Sequence, residues 1–123
     1  MRISIVIPAL NEAGTLRATL HALQPLRAQG HEIIVVDGGS EDDTVDRAGA
    51  LCDQVLGTLP GRARQMNAGA QVATGEVLWF LHADTLAPAE AALDLAAAVA
   101  RPGRDWWRFG VRLSGSHPPL RVA

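Results

Sequence analysis

Short β-branched apolar runs alternate with stretches of helical period along this chain, and that alternation leaves few folds open. Ile3-Ser4-Ile5-Val6-Ile7, stopped by Pro8, reads as a buried strand. From Ala13 to Gln29 the positions Leu16, Leu20, Leu23 and Leu26 fall at helical spacing, and Gly30 supplies the stop. Glu32-Ile33-Ile34-Val35-Val36 is a second strand, ending at Asp37-Gly38-Gly39-Ser40. A helix is expected from near Asp42, acidic in its first turn, to about Leu51. Gln54 to Leu59 reads as a short third strand, and Gly61 to Thr74 as a helix with Met66, Ala70 and Ala73 on one side. Glu76 to Leu81 is a fourth strand, and His82-Ala83-Asp84 sits at its C-terminal end. Pro88 is expected to open another helix, in the first turn, where proline is tolerated. Trp106 to Leu113 is expected to be a further strand, on which Trp106 and Trp107 point to opposite faces.

This order predicts an α/β fold with a mostly parallel sheet flanked by helices on both faces. Ligands of such sheets bind outside the carboxyl ends of the strands. The polar residues obey that rule. Asn11 and Glu12 follow the first strand, Asp37 follows the second, and His82 and Asp84 follow the fourth. Three strand ends thus deliver polar groups to one edge, and that convergence is the reason to expect a site there.

Composition removes several chemistries. All 11 basic residues are arginine, so no lysine is present to form a Schiff base or serve a P-loop. Tyrosine is absent, and the single cysteine, Cys52, excludes an internal disulfide and a cysteine-rich zinc site. Cys52 is expected to be a small core residue. A formal net charge of −2 carries no electrostatic footprint for nucleic acid. The turn Pro8-Ala9-Leu10-Asn11-Glu12 lacks the Gly-x-Gly-x-x-Gly of a dinucleotide oxidoreductase. Neither the N-terminal run nor the Ala-rich stretch from Ala87 to Ala100 reaches the roughly 20 apolar residues of a membrane span. The chain is therefore expected to be cytoplasmic, with no transmembrane segment and no nucleic-acid partner. With 123 residues it is expected to be a single domain.

Each candidate residue has a structural reading beside the functional one. Asp37-Gly38-Gly39-Ser40 is either a plain strand-to-helix turn capped by Ser40 or a place where Asp37 accepts hydrogen bonds from a base or ribose. Asp42 and Asp43 read as helix-start residues. Asp84 either caps a following helix or meets a divalent cation on a diphosphate. His82 is a second ligand, a donor to a leaving phosphate, or a packed histidine. Arg62 and Arg64 begin a helix, where cations oppose the macrodipole; a nearby anion would explain them, as would a solvated surface. His21 and His31 are expected at the surface, and Asn67, which has low helix propensity, is expected to hydrogen-bond a neighbouring loop.

Ile5-Val6-Ile7-Pro8-Ala9-Leu10-Asn11-Glu12, Ile34-Val35-Val36-Asp37-Gly38-Gly39-Ser40 with Asp43-Thr44, Asn67-Ala68-Gly69, Thr74-Gly75-Glu76 and Phe80-Leu81-His82-Ala83-Asp84-Thr85 together resemble family 2 glycosyltransferases. The run Gly61 to Asn67, with Phe80 to Asp84, Arg108-Phe109 and Arg112 to Gly115, resembles a bacterial subgroup associated with arsenosugar biosynthesis.

The resemblance implies a GT-A (Rossmann-like) fold, a nucleotide-sugar donor, typically a UDP-sugar, and a divalent metal, Mn²⁺ or Mg²⁺. It implies that Pro8, Asn11 and Glu12 line the nucleotide pocket and that Asp37 recognises the base. Arg62 and Arg64 are then expected on the diphosphate. Asp84 matches the last position of the family's Asp-x-Asp motif and is expected to bind the metal. His82 stands where that motif begins with aspartate, a departure that bears on the ribose contact and on metal affinity. The family's acceptor site and catalytic base lie in a second half that this chain does not match, so the chain is expected to be the donor-binding half. The reaction implied is inverting, metal-dependent sugar transfer to an unknown acceptor. The alternative is a non-catalytic nucleotide-binding or assembly module left by truncation. On either reading an open sheet edge favours self-association into a homo-oligomer.

Overall fold

The two longest strands of the computed structural model, β1 (Ile3–Ala9) and β2 (Glu32–Asp37), are buried at every position. Such runs arise where a strand is covered on both faces, as in parallel sheets with helical crossovers. The structure describes residues 2–84, 107–108 and 120–121. Along them follow β1, α1 (Ala13–Ala22), α2 (Gln24–Ala28), β2, α3 (Thr44–Ala48) and a 3₁₀ turn at Gly49–Leu51. Then come β3 (Gln54–Gly57), α4 (Arg62–Val72) and β4 (Val77–Phe80). A separate antiparallel pairing joins β5 (Trp107–Arg108) to β6 (Leu120–Arg121). The helix expected from Pro88 and most of the strand expected over Trp106 to Leu113 lie outside the described residues.

The four-stranded sheet has the order β3-β2-β1-β4 and is parallel throughout, as expected. From β1 the chain steps outward to β2 and β3, then returns to lay β4 on the other side of β1. The switch point therefore lies between β1 and β4. Alternation along each strand sorts side chains into two cores. Ile3, Ile5, Ile7, Ile33, Val35 and Trp79 face Leu16, Leu20, Leu23 and Leu26 of α1 and the α2 segment. Val6, Ile34 and Val36 face the other way, against Ala68, Val72 and Ala73 at α4.

Two helices differ from expectation. The segment from Ala13 to Gln29 is broken at Leu23 because Pro25 lies in the first turn of α2 and has no N–H to continue α1. Gln24 Nε2 serves the break, donating to the carbonyls of Leu20 at 2.9 Å and Leu51 at 2.8 Å. On α4 the buried residues are Gln65 and Gly69, while Met66 and Ala70 are half-buried. A Cβ on Gly69 would stand 2.4 Å from Val6 Cγ1 and 3.1 Å from Val36 Cγ2, so glycine lets α4 lie close on the sheet.

The amino ends of the strands are tied by a buried carboxylate. Glu32 accepts from Ser4 Oγ at 2.5 Å, Thr74 N at 2.5 Å and Thr74 Oγ1 at 2.8 Å. Burial opposes its charge, but these bonds and the Arg2 guanidinium outweigh burial and hold the carboxyl below its ordinary value. His31 is half-buried rather than a surface residue. Its Nδ1 accepts from Ile3 N at 3.0 Å, and burial, with the positive N-terminus and Arg2, lowers its pKa. Cys52 is a packed core group, as expected, its thiol pushed by burial up to about 11.

Candidate functional site

The register places the carboxyl ends of β1, β2 and β3 level, with Ala9 beside Asp37 and Asp37 beside Gly57. β4 stops earlier, its last ladder pair being Phe80 with Val6. Ile7, Pro8 and Ala9 thus run on past β4 at the switch point. Residue parity explains how a central strand accepts Pro8. Val6 bonds toward β4, where its carbonyl accepts from Leu81 N at 3.0 Å, and Pro8 faces the same side two residues on. There the β4 ladder has ended, so the missing N–H of Pro8 costs no strand pairing.

After β2 the chain turns on Asp37. The carboxylate is nearly buried and its Oδ2 accepts from Gly39 N at 3.1 Å and Ser40 N at 2.9 Å. Ser40 Oγ donates to Asp37 Oδ1 and itself accepts from Asn11 N at 2.8 Å. Asn11, in the left-handed region at φ 53°, returns the link by accepting from Glu41 N at 2.8 Å through Oδ1. Glu12 N donates to Thr44 Oγ1 at 2.9 Å, and the Glu12 carbonyl accepts from Leu16 N at 2.8 Å to begin α1. The loops after β1 and β2 are therefore one hydrogen-bonded unit. Asp42 belongs to it as a helix-start residue, as expected. Bonds from the Thr44 side chain and from the Thr44 and Ala13 amides hold its carboxyl below the ordinary value. Asp43 pairs with Arg47 one turn on, at 3.0 Å.

After β4 the segment His82-Ala83-Asp84 alternates. Ala83 is buried, while His82 and Asp84 are exposed. Arg62, in the first turn of α4, brings Nη2 within 2.9 Å of His82 Nε2. A guanidinium only donates, so this contact makes Nε2 the acceptor and leaves the ring proton on Nδ1. His82 is thus paired with a cation and is not a packed core histidine. Arg64 is exposed on the same helix. The helix starts at Gly61 without a side-chain cap and with no acidic residue in its first turn, which leaves N–H groups open to an anion at an end that carries two exposed arginines.

Among the described residues no three His, Cys, Asp or Glu side chains converge as a metal cage. Asp84 offers one hard oxygen donor group that is exposed and takes no hydrogen bond among the described residues. One carboxylate suits a Mg²⁺ or Mn²⁺ ion that draws its other ligands from waters and a diphosphate. The donor set fits a metal arriving with its ligand.

Two residues that organise this edge were not legible as site residues. Gln65 ties α4 to β1 and β2, and Thr19 holds Ala83. The spacing of Gly61, Gln65 and Gly69 at intervals of four was the available signal for Gln65, since it puts all three on one helix face.

A family model described as Glycosyl transferase family 2 matches residues 4–107. A PGL/p-HBAD biosynthesis glycosyltransferase of Mycobacterium bovis is 38% identical over 88 residues, covering 66% of this chain and 34% of that protein. An uncharacterized glycosyltransferase of Mycobacterium tuberculosis is 32% identical over 123 residues, covering 92% of this chain and 47% of the relative. The crystal structure of glucosyl-3-phosphoglycerate synthase from Mycobacterium tuberculosis in complex with Mn²⁺, UDP and glucosyl-3-phosphoglycerate superposes with a TM-score of 0.74 at 26% identity. That match covers 85% of this chain and 42% of the synthase. The chain thus spans less than half the length of each of these proteins.

Proposed function

The chain belongs to glycosyl transferase family 2 and has the GT-A fold, and on that premise we propose that it binds the nucleotide-sugar donor, a UDP-sugar, in a metal-dependent, inverting sugar transfer. The observation that carries this reading is the meeting of Arg62 with His82 at the switch point, beside exposed Asp84 and across from the Asp37 turn. Cationic, hard-oxygen and hydrogen-bonding groups are there offered to one elongated anionic ligand. The likeness to a synthase crystallised with Mn²⁺ and UDP supports the same ligand here.

In this reading Pro8, Asn11 and Glu12 wall the nucleoside end. Asp37, three of whose acceptor positions its own turn already uses, has one left on Oδ1 for an N–H of the base. Arg62 and Arg64 take the diphosphate, with His82 holding Arg62 in place and its Nδ1–H as a further donor. Asp84 would hold the metal, which when bound neutralises charge on the diphosphate. In the transfer the anomeric carbon exchanges its bond to the diphosphate oxygen for one to an acceptor hydroxyl oxygen, whose proton is released. The arginines contribute by stabilising the charge that gathers on the leaving diphosphate.

Calorimetric titration with UDP, with Mn²⁺ present and then with EDTA, tests the reading. Binding that weakens on chelation is the expected result. Absence of binding by UDP, GDP and dTDP alike would favour the other reading, a domain that keeps the motifs as scaffold.

A further inference from the structure

One buried side chain reaches two of the strand ends on which the proposed donor site rests. Gln65 is 5% exposed, and its Nε2 donates to the carbonyls of Ala9 at 3.0 Å and Val36 at 2.9 Å. These are the points where β1 and β2 leave the sheet. Both amide hydrogens are thereby used, and Oε1 lies 3.4 Å from Gly61 N at the start of the same helix. A buried amide with such partners is costly to displace, because two carbonyls lose their donor with it. Gly38 completes the seat. A Cβ there would fall 3.0 Å from the Gln65 amide carbon, and Gly38 has no positive φ, so contact rather than backbone conformation demands the glycine.

Arg62 precedes Gln65 by one helical turn, so the bonds that hold Gln65 to Ala9 and Val36 also fix the turn from which Arg62 reaches His82. We propose that Gln65 is a positioning residue for donor binding: it locks the first turn of α4 to the ends of β1 and β2 and so sets Arg62 against His82. The proposal rests on the nucleotide reading above for its role in binding, while the placement of Arg62 is measurable without any ligand.

Gln65→Met keeps side-chain length and helix propensity but removes both donors. Gly38→Ala keeps the amide and crowds it. In the free chain, ¹⁵N NMR reads the His82 ring nitrogens. Calorimetry with UDP and Mn²⁺ reads binding. Both variants are expected to move the His82 Nε2 signal toward that of Arg62→Ala and to lower UDP affinity roughly tenfold, as loss of a bond to a charged group does. The double variant Gln65→Met/Arg62→Ala is expected to lose no more than Arg62→Ala alone. An unchanged His82 signal with additive losses overturns the proposal, since that is what a merely structural Gln65 predicts. Should Gln65→Met not fold, Gly38→Ala carries the same comparison. A wild-type chain that binds no UDP, GDP or dTDP overturns the nucleotide reading and the binding role with it, and the His82 signal then decides separately whether Gln65 places Arg62.

Discussion

Thr19 Oγ1 donates to the Ala83 carbonyl at 2.7 Å, joining α1 to the segment after β4 across 64 positions of sequence. Both residues are buried, at 1% and 3% exposure, while His82 and Asp84 on either side of Ala83 are exposed. The tripeptide is therefore gripped at its centre and presents its two functional side chains outward. A buried carbonyl with one donor among the described residues is sensitive to that donor's loss, and the loss is felt at Asp84.

Thr19→Val removes the donor with little change of shape. It is expected to cost about 1–3 kcal/mol of stability through the stranded carbonyl. The Mn²⁺-dependent part of UDP binding should fall with it, while binding in EDTA stays as in the wild type. Thr19→Ser should restore both. Calorimetry with and without chelator, beside thermal melts, reads the difference, and equal losses in both conditions would remove Thr19 from the metal argument.

Asp84→Ala deletes the only carboxylate presented after β4 among the described residues. The expected outcome is a UDP affinity that no longer responds to Mn²⁺, with an unchanged melting temperature because Asp84 is exposed and unpaired there. Titration of the variant with and without EDTA checks this. A retained Mn²⁺ effect would mean that other groups hold the ion.

Gly69→Ala sets two effects against each other. Alanine gains about 1 kcal/mol of helix propensity over glycine. Its Cβ, however, would stand 2.4 Å from Val6 Cγ1 between two buried layers, and such overpacking costs about 1–3 kcal/mol or more. Net destabilisation is expected in urea unfolding. A more stable variant would show that α4 moves away from the sheet freely.

Stability should fall in two stages on acidification. The folded-state pKa of His31 lies below the ordinary 6.5, so its contribution is full above that pH and declines as the unfolded chain takes up the proton first. The pKa of Glu32 lies below the ordinary 4.5, so its contribution persists to lower pH and is lost as the pH falls through the folded value. Unfolding free energies for wild type, His31→Ala and Glu32→Gln across pH 7 to 3 read the stages. Each variant should lack its own, and a wild-type curve flat over that range would contradict both assignments.

Much of this was legible along the chain. Ile3 to Ile7 and Glu32 to Val36 announce buried parallel strands through β-branched runs, and the strand ends announce the edge that carries Asn11, Asp37, His82 and Asp84. Local signals also placed Asp42 at a helix start, where Thr44 and Ala13 meet its carboxylate. Pro25 was equally visible, yet the leucine period from Leu16 to Leu26 continues in phase across it, so periodicity concealed a break that proline imposes.

What the sequence by itself determined is the order of elements, the family and the end of the sheet on which the polar residues collect, because hydrophobic period and turn chemistry are local and act wherever the chain goes. Tertiary structure alone decided which groups meet: Arg62 with His82, Gln65 with Ala9 and Val36, Thr19 with Ala83. Those contacts join residues 20 to 64 positions apart, and their geometry is set by how closely α4 and α1 pack on the sheet. That closeness depends on the absence of a side chain at Gly69 and Gly38, whose meaning appears only when the facing atoms of Val6 and Gln65 are in place.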